Sequence, residues 1–379
     1  MGAGAGAAVS RWAWAEVDLD AVRHNVEVLR QAAGDAEVWA VVKADGYGHG
    51  SVEVGRAALE AGAAGLCVAL VAEGVVLRRA GISAPILVLS QQPASEVPDA
   101  LEHELALSVY SAQAVTDIAA AGGRDHPVHL KVDTGMHRVG APAADAVALA
   151  DHILRSPAVH LAGVCTHLAV ADEPADPYTD RQLDAFDAVL GALAATGHAP
   201  PLIHAANSAG TLAHPRARWT MVRAGIAVYG ISPGPGVDDL AAALHPALAL
   251  RARVSWVKRV CPGDGISYGL RHTFDRPTTV ATVPLGYADG VPRRLFPTGG
   301  QVLIGGRRRT IVGVVTMDQM MVDCADDDVS IGDDVVLIGA QGDEHVTAPE
   351  WATRLGTIAY EITCAISARI PRTYLGTRR

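Results

Sequence analysis

Between about Glu37 and Gly230 the chain repeats one pattern eight times: a short apolar run, then an Ala-rich stretch with apolar residues at i, i+3 and i+4 and charges between them. The runs are VWAVVK ending at Lys43, GLCVAL (65–70), PILVL (85–89), LALSVY (105–110), HLKVD (129–133), HLAGVCTH (160–167), PLIHAAN (201–207) and WTMVR (219–223). VEVGRAALEAG and AADAVALADHILR represent the stretches between. A strand apolar along its whole length has both faces covered, which is the habit of parallel sheets packed under helices. Eight strand–helix units in roughly 200 residues predict a TIM-like (β/α)8 barrel.

Near Pro246 the pattern changes to short alternating strands: ALRARVSWVKRV, TVATVPL, QVLIGG, RRTIVGV, MMVD and DDVVLIG, separated by turn signals such as PGDG and TGG. One helix is expected around Ala348–Leu355. The expected fold class is therefore α/β, an N-terminal (β/α)8 barrel followed by a C-terminal mostly-β domain. Residues 1–14 form a tail and first strand, 15–245 the barrel and 246–379 the β domain, with the strand-like WAWAEVD a candidate partner for that β domain. The opening MGAGAGAAVS lacks a basic segment followed by a Leu-rich one, so it reads as a disordered tail and not as a signal peptide.

Charge narrows the partners. Lys and Arg number 31 against 41 Asp and Glu, a net of −10, and a field of that sign repels phosphate backbones and anionic membranes. The apolar stretch Ala61–Ala72 is too short to span a bilayer. Cys67, Cys165, Cys261, Cys324 and Cys364 are scattered without a CxxC, which fits free thiols in a reducing cytoplasm and no metal site.

Barrel active sites form where strands end and βα loops emerge. The first strand ends in Lys43, followed by ADGYGHG; the fifth carries Lys131 and Asp133 and runs into TGMHR with Arg138. The sixth ends in Thr166–His167, the seventh in Asn207–Ser208, the eighth in Arg223 and then AGIAVYG, while the second and fourth end blandly. A lysine closing an apolar strand is, alone, most simply a snorkelling end residue. Glycines on both sides of Tyr47 and a desolvated mouth make Lys43 suited to a Schiff base. The turn Asn207-Ser208-Ala209-Gly210 is either an ordinary helix cap or a phosphate cradle, and Gly225-Ile226 on the neighbouring loop favours the cradle. Arg223 is placed for a ring nitrogen or for a salt bridge across the mouth, and His167 for orienting it or for core packing; Asp133 and Arg138 are close enough in sequence to pair.

AVVKADGYGHG, KVDTGMHRVG, HAANSAG, RAGIAVYG, ISYG, PLGYADG, TMDQMMVD and AYEITCAISARIPR together resemble the motifs of the alanine racemase family, in order, from Lys43 to Arg372. The resemblance implies a pyridoxal 5'-phosphate-binding barrel, a β domain and a homodimer whose partner completes each active site. It implies interconversion of L- and D-alanine, in the cytoplasm, for peptidoglycan synthesis. Lys43 would hold the cofactor and act as base on the D face; Tyr268 of the partner subunit would act on the L face. Tyr47, His167, Asn207, Ser208, Arg223, Gly225, Ile226 and Tyr360 resemble the cofactor-binding set. Arg138 and Met317 resemble the substrate-carboxylate contacts, Tyr287 and Asp318 line the way in, and Lys131 resembles a lysine often carbamylated. Ala224 stands where the family usually has Pro, and Thr316 where Cys is frequent. The alternatives are a broader alanine and serine racemase, a barrel-type decarboxylase using the same cofactor, and a non-catalytic carrier of it; the last lacks a β domain.

Overall fold

The structure is a computed structural model that describes residues 11–377, so the MGAGAGAAVS segment lies outside the described residues. The described residues divide into two compact units, one of residues 20–46 and 50–246, the other of residues 11–19, 47–49 and 247–377.

Strand β1 (Ala13–Asp18) opens the chain, and eight parallel strands build the first unit: β2 (Glu37–Val41), β3 (Gly65–Val68), β4 (Ile86–Val88), β5 (Ala106–Val109), β6 (His126–Asp133), β7 (Val159–Cys165), β8 (Leu202–His204) and β9 (Met221–Ala224). They lie in the order β9-β2-β3-β4-β5-β6-β7-β8. The barrel is nearly closed, and between β8 and β9 the amides of Thr220 and Arg223 donate to the carbonyls of Ile203 and Ala206. β3, β4 and β5 are buried at every residue, as the continuous apolar runs require. Helix Ala146–Arg155 buries Ala146, Leu149, Ala150 and Ile153, the i, i+3, i+4, i+7 stripe of a helix laid on a sheet.

The second unit holds β10 (Leu248–Arg253), β11 (Trp256–Val260), β12 (Thr278–Val283), β13 (Gln301–Ile304), β14 (Arg307–Val312), β15 (Met320–Asp323), β16 (Asp334–Gln341) and β17 (Arg372–Leu375). Their order is β11-β12-β15-β14-β13-β16-β10-β1-β17. β1 lies antiparallel to β10, with Val17 opposite Leu248, and parallel to β17, with Ala15 opposite Arg372. Its residues alternate buried and half-buried, the period of a strand with one covered face. Helix Ala348–Leu355 starts on Thr347, whose side chain accepts the Glu350 amide, and ends on left-handed Gly356. A second helix, Ala359–Cys364, follows where the sequence had indicated only one. Among the described residues no helix is long and apolar enough to cross a membrane.

Candidate active site

Directly after Lys43 the backbone turns left-handed at Ala44, Asp45 and Gly46. Such a run is strained for residues with a side chain, and strain of this kind gathers at functional sites. It is held by the Ala44 amide on Glu73 (2.6 Å), the Ser51 amide on Asp45 (2.9 Å) and the Tyr229 hydroxyl donating to the Val41 carbonyl (2.9 Å). Lys43 thereby leaves the strand at a defined point, half-buried.

Arg223, on β9, is 6 % exposed. It donates to the carbonyls of Thr166 (2.9 Å) and Ala205 (3.0 Å), to His167 Nδ1 (3.2 Å) and to His204 Nδ1 (2.5 Å). Among the described residues no carboxylate lies in ion-pairing range of it. Because a guanidinium only donates, both histidines accept through Nδ1 and carry their proton on Nε2. His204 Nε2 then donates to His129 Nδ1 at 2.8 Å, extending the chain into the barrel. Burial first, then the Arg223 cation, holds His167 and His204 well below the usual histidine range, and the same two causes push His129 down to about 3. All three are neutral. His129 and His204 were missed in the sequence, where the only signal was a polar residue inside an otherwise apolar strand.

Lys131, Arg138, Thr166 and His167 line one pocket. Lys131 is 8 % exposed, donates to the Leu89 carbonyl at 3.2 Å, and is pulled below the usual lysine range by burial and by Arg223, Arg138 and Lys43. Asp133 does not pair with Arg138: its carboxylate accepts the Gly135 and His137 amides (2.9 and 3.0 Å) and faces the His137 ring. Burial raises the Asp133 pKa, but those amides and that ring outweigh it and leave it lowered. The exposed Arg138 guanidinium is left without a hydrogen bond to the described residues. Four basic side chains, Lys43, Lys131, Arg138 and Arg223, thus gather where the strands end, near enough for each to lower the His167 pKa.

Asn207 caps the short helix Ser208–Ala213 by accepting the Gly210 amide at 2.9 Å. The buried Ser208 hydroxyl accepts the amides of Gly225 (2.8 Å) and Ala227 (3.2 Å), tying the last two barrel loops together. Having accepted two bonds, it keeps one O–H to donate. Ile226 opens a tight turn, where the first amides have no acceptor within the turn.

In the second unit Tyr47, 7 % exposed, lies with its ring 6.0 Å from that of Tyr360. Gly48, at φ 84°, makes this approach possible, because a Cβ there would stand 2.2 Å from the Thr363 carbonyl oxygen. Tyr268 is 74 % exposed on a turn whose Ser267, Gly269 and Leu270 are all left-handed. Tyr287 and Met317 are also exposed, and Asp318 accepts from Arg369 at 2.7 Å.

The donor set fits a phosphate-bearing pyridine aldehyde: an amine at a strand end, a hydroxyl and amides on adjoining loops, and a buried cation with no counter-ion among the described residues. Residues 17–233 match the family model of the alanine racemase N-terminal domain, and 247–374 that of the alanine racemase C-terminal domain. The chain is 51 % identical to the alanine racemase of Symbiobacterium thermophilum, over 96 % of this chain and 97 % of that one. To the alanine racemase of Thermobifida fusca it is 46 % identical, over 98 % and 100 %. The crystal structure of alanine racemase from Bacillus anthracis with bound L-Ala-P superposes with a TM-score of 0.92 at 42 % identity, covering 97 % of this chain and 96 % of that one. That from D-cycloserine-producing Streptomyces lavendulae gives 0.91 at 40 %, covering 98 % of each.

Proposed function

Because the chain belongs to the alanine racemase family and is an isomerase interconverting L- and D-alanine, we propose that it does so with pyridoxal 5'-phosphate and two bases, Lys43 and Tyr268 of a second subunit. The observation that carries this reading is the charge of the barrel: the basic side chains of Lys43, Lys131, Arg138 and Arg223 converge, and the most buried of them, Arg223, has no carboxylate in ion-pairing range among the described residues. A phosphate and a substrate carboxylate are what such a site requires. When bound, the cofactor supplies an aldehyde to condense with an amine and a ring that draws electrons from the substrate Cα–H bond.

The residues divide the work. Ser208, through its remaining O–H, and the loops of Asn207, Gly225 and Ile226 hold the phosphate together with Tyr47 and Tyr360. Arg223 presents a permanent cation to the ring nitrogen and opposes its protonation. His167, neutral with its proton on Nε2, accepts from Arg223, and its Nε2–H would extend that contact to the Tyr268 hydroxyl of the partner subunit. Arg138 and Met317 hold the substrate carboxylate, while Tyr287 and Asp318 line the approach. Burial and the neighbouring Arg223, Arg138 and Lys43 lower the Lys131 pKa, and a carbamate formed there with carbon dioxide would be an anion able to orient Arg138. Tyr268 takes the α-proton of L-alanine on one face and Lys43 returns one on the other, with the roles reversed for D-alanine.

Homodimerisation is supported by the surface that carries Tyr268. Leu270, on the same turn, is 64 % exposed, and a second copy would cover both. In this reading residues 15–245 together with Tyr360 bind the cofactor, and Tyr268 from the 246–379 domain completes the partner's site, in the cytoplasm, supplying D-alanine for peptidoglycan. Tyr268→Phe tests it by incubation with L- and D-alanine followed by chiral chromatography. The variant should retain cofactor while racemisation falls by about 10²–10⁴-fold. Full retained activity would refute the assignment.

A further inference from the structure

The loop Pro284–Val291, which carries Tyr287, encloses a carboxylate with no solvent exposure, that of Asp289. Its partner comes from the far end of the chain. Arg11 grips Asp289 with both terminal nitrogens, each 2.8 Å from its own carboxylate oxygen, and donates at 3.1 Å to the Pro284 carbonyl. Asp289 in turn accepts the Gly286 amide at 3.0 Å, and its backbone carbonyl accepts the Ser367 amide at 3.2 Å. A second arginine, Arg369, stands 3.4 Å from the same carboxylate and bonds Asp318 at 2.7 Å, so charges alternate along Arg11, Asp289, Arg369 and Asp318.

This loop is stitched to the one bearing Met317. The Tyr287 amide donates to the Thr316 carbonyl (3.0 Å) and the Ala288 amide to that of Met317 (3.1 Å). The backbones approach so closely that a Cβ on Gly286 would lie 2.2 Å from the Thr316 oxygen. We propose that Arg11 is a positioning residue for the reaction: through Asp289 it holds Tyr287, Met317 and Asp318 in one arrangement, an inference that rests on the reading of these three as the substrate side of the site. The bidentate geometry requires a guanidinium, because an ammonium is a single point charge and cannot span both oxygens. Without Arg11 the buried carboxylate keeps the Gly286 amide but, of its two cations, only the longer contact to Arg369, and the loop must open for water to reach it.

The test uses the cofactor-loaded protein and Arg11→Met, which keeps an unbranched apolar stem without the charge, with Arg11→Lys beside it. Hydrogen exchange at the amides of Gly286, Tyr287 and Ala288 should quicken by about tenfold or more in Arg11→Met, and less in Arg11→Lys, while β3 to β5 keep their protection. KM for alanine should rise more than kcat falls. Adding Asp289→Asn to Arg11→Met should restore part of the protection, since the stranded charge is gone. Unchanged exchange at the three amides overturns the inference whatever the kinetics. Quickened exchange with an unchanged KM overturns it at the other link, and a Met317→Ala variant with unchanged KM identifies that case as failure of the substrate-side reading.

Discussion

The chain of histidines behind Arg223 makes acid stability a measure of the active-site framework. His129 is 1 % exposed, and in the folded barrel burial and the Arg223 cation push its pKa from an ordinary 6.5 down to about 3. In the unfolded chain it takes up a proton near 6.5. Between these two values the unfolded state binds more protons, so the stabilisation, complete above pH 6.5, is lost as pH falls towards 3. From pH 7 to pH 5 this one residue should cost about 2 kcal/mol, a sizeable share of a typical domain's 5–15 kcal/mol. His167 and His204 shift in the same direction and steepen the decline. His129→Gln keeps an acceptor for His204 Nε2 and removes the titration. Urea unfolding of the cofactor-loaded wild type and variant at pH 5, 6 and 7 should show their stability difference moving by about 2 kcal/mol in the variant's favour. Parallel losses in the two proteins would refute the picture of a neutral, buried His129.

Two further substitutions probe the loops. Gly48→Ala places a Cβ against the Thr363 carbonyl at positive φ, and should cost about 1–3 kcal/mol in thermal unfolding and separate Tyr47 from Tyr360; equal stability would mean that the backbone yields freely there. Ser208→Ala strands the amides of Gly225 and Ala227, for which a loss of about 2 kcal/mol or more is expected. Cofactor retention on dialysis should fall with it, and undiminished retention would count against the phosphate role of Ser208.

The barrel was legible because its instructions are local. Eight apolar runs with helical stripes between them need no distant partner to be recognised, and their polar ends mark the loops where Lys43, His167 and Arg223 emerge. The alternation of the β strands after Pro246 is equally local, and so is the Thr347 cap of helix Ala348–Leu355. Helix Ala359–Cys364, which carries Tyr360, is too short for its own periodicity to announce it. His204 and His129 stayed hidden for another reason: a lone histidine in a strand reads as packing until the partner on the next strand is known.

What the sequence alone determined is the order of elements, the family motifs and the residue types brought to each strand end. The tertiary structure decided their chemical state. Asp133 had two partners within a few residues, and folding turned its carboxylate to amides and His137, leaving Arg138 unengaged. Arg223 gained its histidine chain, and Asp289 its Arg11, only when segments remote in sequence came within hydrogen-bond distance. Element formation follows from neighbours a few positions apart, whereas protonation, tautomer and ion pairing depend on burial and on charges contributed by other strands, which no local pattern encodes.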